Sequence, residues 1–127
     1  MSVIDIDETT FDEFVSSTDK LVVVEFYLTN CPVCAQIAPI FEKVSNEMTQ
    51  DAVFGRVDAQ SNLQLSSRFE VIGTPTFKFF CKDKLIGEII GGINETKFKN
   101  TVKDMIKHEM LCSDQEKKSS FEMDGYG

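Results

Sequence analysis

Two cysteines, Cys31 and Cys34, are the residues best suited to chemistry in this sequence, because only two residues separate them. They follow an apolar run and precede a segment with helical spacing, so we expect Cys31 at the N-terminus of a helix and Cys34 one turn further on. Uncovered backbone N–H groups there stabilise a thiolate, and Pro32 suits a first helical turn because it has no N–H to leave unbonded. Cys31 is therefore the expected nucleophile of a dithiol-disulfide exchange, and Cys34, with the higher pKa, the resolving thiol.

Two other interpretations of the pair remain open. A structural zinc site needs four ligands, but Cys81 and Cys112 lie far from the pair in the sequence, and the only histidine is His108. The two thiols could also be incidental core residues, although Pro32 and the start of a helix argue against chance. We expect no metal site, and we expect Cys81 to be structural or merely exposed and Cys112 to be a bystander.

The elements that must position these cysteines alternate between strands and helices. Residues 21–28 are β-branched and aromatic with almost no alternation, as in a strand covered on both faces. Residues 34–48 carry apolar side chains at helical spacing, with a kink expected at Pro39. Further strands are predicted at 3–6 and 52–58, and residues 76–81 and 85–91 are predicted to form a hairpin. Three more helices are predicted. The first carries Phe11, Phe14 and Val15 on one face, the second, at 62–70, packs through Leu63, Leu65 or Ser66, and Phe69, and Asn94 caps the last. The order β α β α β α β β α predicts an α/β domain with helices on both faces of one sheet.

Length and charge narrow the class of protein further. The 127 residues fit one domain, predicted at residues 1–111, followed by a polar tail at residues 112–127. A formal net charge of −8 argues against a nucleic-acid or anionic-membrane partner. No segment has the roughly 20 apolar residues of a membrane-spanning helix, and the acidic N-terminus differs from a signal peptide. We therefore expect a cytoplasmic protein.

Two stretches resemble the thioredoxin family: VVVEFYLTNCPVCAQIAPIFEKV is similar to its active-site strand, loop and helix, and VIGTPTFKFF to its second loop. The resemblance extends over about residues 3–110. It implies the thioredoxin fold, with a central mixed sheet flanked by helices, and a thiol-disulfide oxidoreductase in which Cys31 attacks and Cys34 resolves. It also implies a cis bond at Pro75, which brings the Thr74 backbone beside the cysteines to pair with a substrate, and a glycine at Gly91 that leaves the substrate groove open.

Glu25 is the second position with predicted chemistry. A carboxylate inside VVVEFYL would be desolvated, which raises its pKa and makes it a general base for Cys34, acting through water. The alternative is that Glu25 turns to an edge or pairs with Arg56. The family usually has Asp at the place of Glu25 and often Lys at that of Arg56, which could modulate the carboxylate. Tyr27 occupies a position where the family usually has Trp.

The loop departs from the familiar W-C-G-P-C pattern at Asn30, Pro32 and Val33, which are expected to contact substrate and tune the redox potential. We expect a monomer that reduces protein disulfides and is re-reduced by a thioredoxin reductase, in electron transport and cell redox homeostasis, with no bound cofactor. One alternative is a glutaredoxin-like or oxidising exchanger, because proline follows the first cysteine of such proteins too and IIGGIN is similar to a glutaredoxin Gly-Gly. Another is an interaction module whose tail and acidic surface recruit a partner.

Overall fold

Within residues 2–118, which the computed structural model describes, five strands alternate with four helices in the order that the sequence predicts. Side chains are described as far as residue 107. The elements are β1 (Val3–Asp5), α1 (Phe11–Ser16), β2 (Leu21–Tyr27), α2 (Pro32–Glu47), β3 (Ala52–Asp58), α3 (Leu63–Arg68), β4 (Thr76–Cys81), β5 (Lys84–Ile90) and α4 (Glu95–Lys118). The predicted strand at 52–58 has the predicted bounds, and the predicted hairpin is formed by β4 and β5.

The five strands form one mixed sheet in the order β1-β3-β2-β4-β5. β1, β3 and β2 run parallel, whereas β4 pairs antiparallel with β2 and with β5. β2 lies in the centre, and all of its residues except Tyr27 are buried. A central strand has neighbours on both edges and helices on both faces, which explains why its sequence shows no apolar-polar alternation.

Two hydrophobic clusters lie on opposite faces of the sheet. On one face, α2 and α4 contribute side chains that include Phe41 and Phe98, and Phe41 contacts the rings of Phe54, Phe77 and Phe98 at centroid distances of 5.6 to 5.8 Å. On the other face, α1 and α3 contribute Phe11 and Leu65. Phe26, Phe41, Phe77 and Phe79 are all buried. Helices therefore cover both faces of the sheet, as predicted.

The helix α3 differs from its prediction in one inward residue. Leu65 is buried and Phe69 packs against the same cluster, but Leu63 is 68% exposed. A residue two positions before Leu65 points roughly 200° away around an α-helix, so the two leucines of a six-residue helix cannot face the same core.

The last helix begins where the sequence predicts and continues past the predicted domain boundary. The Asn94 side chain accepts a hydrogen bond from the backbone N–H of Lys97 at 2.8 Å, and α4 buries its own Phe98 and Val102 side chains. α4 runs on to Lys118. The part of the predicted tail after Lys118 lies outside the described residues. In the described part of the chain, no helix combines the length and the apolar character needed to cross a membrane.

Candidate active site

Cys31 is the N-cap residue of α2, in the position that the sequence predicts. Its backbone is extended, and its sulfur accepts a hydrogen bond from the backbone N–H of Cys34 at 3.1 Å. Cys31 and Cys34 are joined by a disulfide, with Cα atoms 5.2 Å apart. Cys34 is 4% exposed, whereas Cys31 is more accessible. The more accessible sulfur is therefore the one at the helix N-terminus, where the backbone N–H groups stabilise negative charge.

The loop before β4 supplies the second wall of the site. The Thr74–Pro75 bond is cis, as the resemblance implied. The carbonyl oxygen of Thr74 lies 3.7 Å from the Cys31 sulfur. The backbone of Thr74 is thus placed beside the cysteine, where an extended peptide could pair with it.

Two consecutive glycines after β5 border the same region. Gly91 has a φ of +93° and donates its N–H to the Pro75 carbonyl at 2.8 Å. At Gly92, a side chain would lie 2.8 Å from the Val33 side chain. The sequence prediction included Gly91 and missed Gly92, although the Gly-Gly pair itself was the available signal. Because Gly92 has no side chain, the Val33 side chain, which is 40% exposed, can pack against the backbone there.

The remaining predicted substrate contacts surround the sulfur. Asn30 lies just before Cys31, Pro32 and Val33 begin α2, and all three are exposed. A groove of about 360 Å³ continues from Thr74 past Ile72, which is 89% exposed. Ile72 was not among the predicted site residues, because an isolated apolar residue in a loop carries no sequence signal for exposure. The site therefore offers an open, partly apolar surface on this side of Cys31.

Glu25 lies on the inner side of the cysteines. It is 3% exposed on the central strand, so the alternative that it turns to an edge is wrong. Burial raises the pKa of Glu25 to about 7, and charge attraction from Arg56 acts in the opposite direction. A cavity of about 260 Å³ joins the carboxylate to both cysteines and is large enough for water. The residues that line it are Glu25, Tyr27, Leu28, Thr29, Cys31, Cys34, Ala35, Ala38 and Arg56.

Arg56 and Tyr27 lie together at the wall of this cavity. The guanidinium carbon of Arg56 is 4.1 Å from the centroid of the Tyr27 ring, and its Nε lies 3.5 Å from Asp5 Oδ1. Burial disfavours the charged guanidinium, but interactions with Tyr27, Glu25 and Asp5 outweigh this effect and raise the pKa of Arg56. Asp5 was not predicted as part of the site, since its proximity depends on the register between β1 and β3.

Among the residues that the structure describes, there is no group of three or more His, Cys, Asp or Glu side chains that could hold a metal ion. Cys81, at the end of β4, is buried, so the alternative that it is merely exposed is wrong. The chemistry that the described geometry supports is that of the Cys31–Cys34 pair.

Comparison with known proteins agrees with the fold. The family model described as Thioredoxin matches residues 2–104. Human thioredoxin is 36% identical over 100 residues, which cover 78% of this chain and 93% of the human protein. The solved structure of thioredoxin from Malassezia sympodialis, described as a member of a pan-allergen family, has a TM-score of 0.75 at 29% identity and covers 83% of this chain and 91% of its own.

Similarity also extends to longer proteins. A probable protein disulfide-isomerase A6 from Medicago sativa is 41% identical over 85 residues, which cover 65% of this chain and 23% of that protein. The chain thus spans only about a quarter of this relative and of a protein disulfide isomerase-like relative from rice, where the share is 26%. By its matching residues, its five-stranded sheet and its cysteine pair, the chain belongs to the thioredoxin family.

Proposed function

We propose that the protein reduces disulfides in other proteins, with Cys31 as the nucleophile and Cys34 as the resolving thiol. The observation that carries this proposal is the position of the Cys31 sulfur, which accepts the Cys34 N–H at the start of α2 and lies 3.7 Å from the Thr74 carbonyl. A thiolate there is stabilised by the helix and faces the backbone that would hold a substrate.

The reaction consists of two exchanges. The Cys31 thiolate attacks one sulfur of the substrate disulfide, forms a mixed disulfide and releases the other substrate sulfur as a thiolate. The Cys34 thiol then loses its proton and attacks Cys31, which forms the Cys31–Cys34 disulfide and releases the second substrate thiolate. The substrate gains two electrons and the protein loses two.

Glu25 accepts the proton of Cys34 during the second exchange. Its carboxylate opens on the same cavity as Cys34, which supports transfer through water. A pKa of about 7 suits a group that must take up and release a proton near neutral pH.

Substrate recognition uses the surface around Cys31. An extended peptide would pair with the Thr74 backbone next to Pro75, while Asn30, Pro32 and Val33 contact it from the other side. The open space above Gly91, where an added side chain would meet nothing within 4 Å, leaves room for the peptide.

The proposal also covers where the protein acts, its oligomeric state and how it is re-reduced. The chain acts as a cytoplasmic monomer in electron transport, without a bound cofactor. A thioredoxin reductase returns Cys31 and Cys34 to the reduced form. These elements rest on the family resemblance and on the cytoplasmic location expected from the sequence.

Insulin reduction tests the proposal. We expect turnover when the protein is coupled to thioredoxin reductase and NADPH, and little turnover with glutathione. Cys34→Ser should accumulate a mixed disulfide through Cys31, and Cys31→Ser should form none. An active Cys31→Ser variant would show that the nucleophile is assigned wrongly. Absence of both turnover and a trapped mixed disulfide would favour an interaction module instead.

A second candidate is oxidising or isomerising exchange. The similarity to protein disulfide-isomerase relatives favours it, as does a loop in which Pro32 and Val33 replace the familiar Gly-Pro. The reduction potential of the Cys31–Cys34 pair distinguishes the two. A potential near about −270 mV supports reduction of substrates, and one near about −180 mV supports oxidation or isomerisation.

A further inference from the structure

Three charged residues form a row across the parallel part of the sheet. Arg56 on β3 is the register partner of Asp5 on β1 and of Glu25 on β2. Register partners project their side chains on the same face of a sheet, and this is the face that α2 covers, because Phe54 and Val23 belong to its cluster. A single cation thus lies between two carboxylates.

The two carboxylates compete for Arg56 under unequal conditions. Glu25 is buried, whereas the Asp5 side chain is 89% exposed. Water and Asp5 both draw the guanidinium outward, since a charged group is better solvated there. Within the described residues, the buried Arg56 Nε has no hydrogen-bond acceptor, so hydrogen bonding at that atom does not fix the side chain. Besides the charge attraction of Glu25 itself, a contact with the neighbouring Tyr27 side chain keeps it there.

The Tyr27 ring makes that contact. The guanidinium lies over the ring at 4.1 Å, a distance typical of a cation-π interaction. Tyr27 and Arg56 line both the 260 Å³ cavity of Glu25 and a neighbouring cleft of about 380 Å³ that opens outward. Their stack is therefore the partition between the proton-transfer cavity and the outer cleft.

We propose that Tyr27 is a positioning residue for proton transfer, because its ring holds the Arg56 guanidinium at the cavity wall, where the positive charge stabilises the Glu25 carboxylate. This inference rests on the proposed role of Glu25. The titratable groups that face the cavity or the cleft are Glu25, Cys31, Cys34, Tyr27, Asp5, Glu42 and Asp58. Three of these are carboxylates in the outer cleft, which would attract an arginine that the ring no longer holds: Asp5, Glu42 and Asp58.

Loss of the ring should therefore change the pH dependence of the resolving step. In Tyr27→Leu the guanidinium moves toward the outer carboxylates, so the Glu25 carboxylate is less stabilised and needs a higher pH to form. We expect the acid limb of the resolving rate to shift upward by about one pH unit. Arg56→Met should cause a shift in the same direction.

The test uses single-turnover kinetics of the reduced full-length chain with the aromatic disulfide dithiobis(nitrobenzoate). Attack by Cys31 releases one coloured thiolate, and attack by Cys34 releases the second, so the second phase reports resolution. Its rate is measured against pH for the wild type, Tyr27→Leu, Tyr27→Phe, Arg56→Met and the Tyr27→Leu/Arg56→Met double variant. Tyr27→Met replaces Tyr27→Leu if the latter does not fold.

Each outcome supports or overturns the proposal. Tyr27→Phe keeps the ring, so the acid limb of its resolving rate should lie at the wild-type pH. The acid limb of the double variant should be shifted no further than that of Arg56→Met alone. An unshifted Tyr27→Leu, an equal shift in Tyr27→Phe or an additive shift in the double variant would each overturn it. Glu25→Gln separates the two hypotheses. If it keeps the wild-type acid limb, the proposed role of Glu25 fails. If it loses the limb while Tyr27→Leu is unshifted, only the role of Tyr27 fails.

Discussion

Glu25, the proposed proton acceptor, lowers the stability of the fold that holds it. Its carboxylate is buried in the centre of the sheet, where desolvation disfavours the charged form, and the nearby Arg56 compensates only in part. An apolar residue would suit this position of β2 better, since the other buried side chains of the strand are all apolar. The cost appears only when the carboxylate is charged, which makes it measurable as a dependence of stability on pH.

Replacement of this carboxylate should stabilise the protein at high pH. The pKa of Glu25 is raised from 4.5 to about 7 on folding, so the folded chain binds more protons than the unfolded chain between these values. Stability from this group is fully present below pH 4.5 and is lost as the pH rises through about 7. Relative to the wild type, Glu25→Gln should gain about 3 kcal/mol between acidic and mildly alkaline pH.

Urea unfolding of the oxidised protein at several pH values measures this gain, since the disulfide keeps the two cysteines from titrating. Glu13→Gln is a matched control, because Glu13 is exposed on α1 and its carboxylate remains in water. A stability difference between Glu25→Gln and the wild type that stays constant with pH would contradict the burial argument.

The backbone conformation at position 91 requires a glycine. Its φ of +93° lies in a region that side chains disfavour, although a Cβ there would meet no atom within 4 Å. We expect Gly91→Ala to lower the free energy of unfolding by about 1–2 kcal/mol. Gly73→Ala is the control, since Gly73 also has open space but no φ in this region. Equal losses in the two variants would show that the conformation at Gly91 is not the cause.

At the scale of elements, the sequence predicted the strands and helices whose formation depends on the residues of a single segment. The continuous apolar run of β2 and the helical spacing of α2 identified a central strand and the helix that follows it, and so the position of Cys31. The cis bond at Pro75 could not follow from residues alone, because most such bonds are trans, and only the family resemblance indicated it. The contacts of Gly92 with Val33 and of Asp5 with Arg56 depend on how distant segments meet, which no local pattern specifies.

The docking of α2 on the sheet depends on Phe41. The ring is 2% exposed and lies among three other phenylalanines of β3, β4 and α4. Phe41→Ala should lower the free energy of unfolding by about 3–5 kcal/mol, because it removes buried surface and leaves a cavity. Phe41→Leu should lose clearly less. Denaturant unfolding measures both, and a loss below about 1 kcal/mol in Phe41→Ala would mean that the surrounding rings refill the site.

At the scale of the whole molecule, the net charge of −8 acts on every encounter with a substrate. The cavity and the cleft beside the active site carry four carboxylates, those of Asp5, Glu25, Glu42 and Asp58, and one arginine, Arg56. The fold thus places the redox pair in a field that attracts basic peptides and repels acidic ones. Such a field changes the rate of association more than the chemistry that follows.

Basic substrates should therefore be reduced faster than acidic ones, and added salt should remove the difference in rate. Two peptides with the same disulfide, one flanked by lysines and one by glutamates, provide the comparison. At low ionic strength, where the screening length is about 30 Å, we expect the basic peptide to react several-fold faster. Near 1 M salt the screening length falls to about 3 Å, and the two rates should converge. A preference that survives high salt would instead indicate direct contacts with the flanking residues, and equal rates at low salt would show that the field does not reach Cys31.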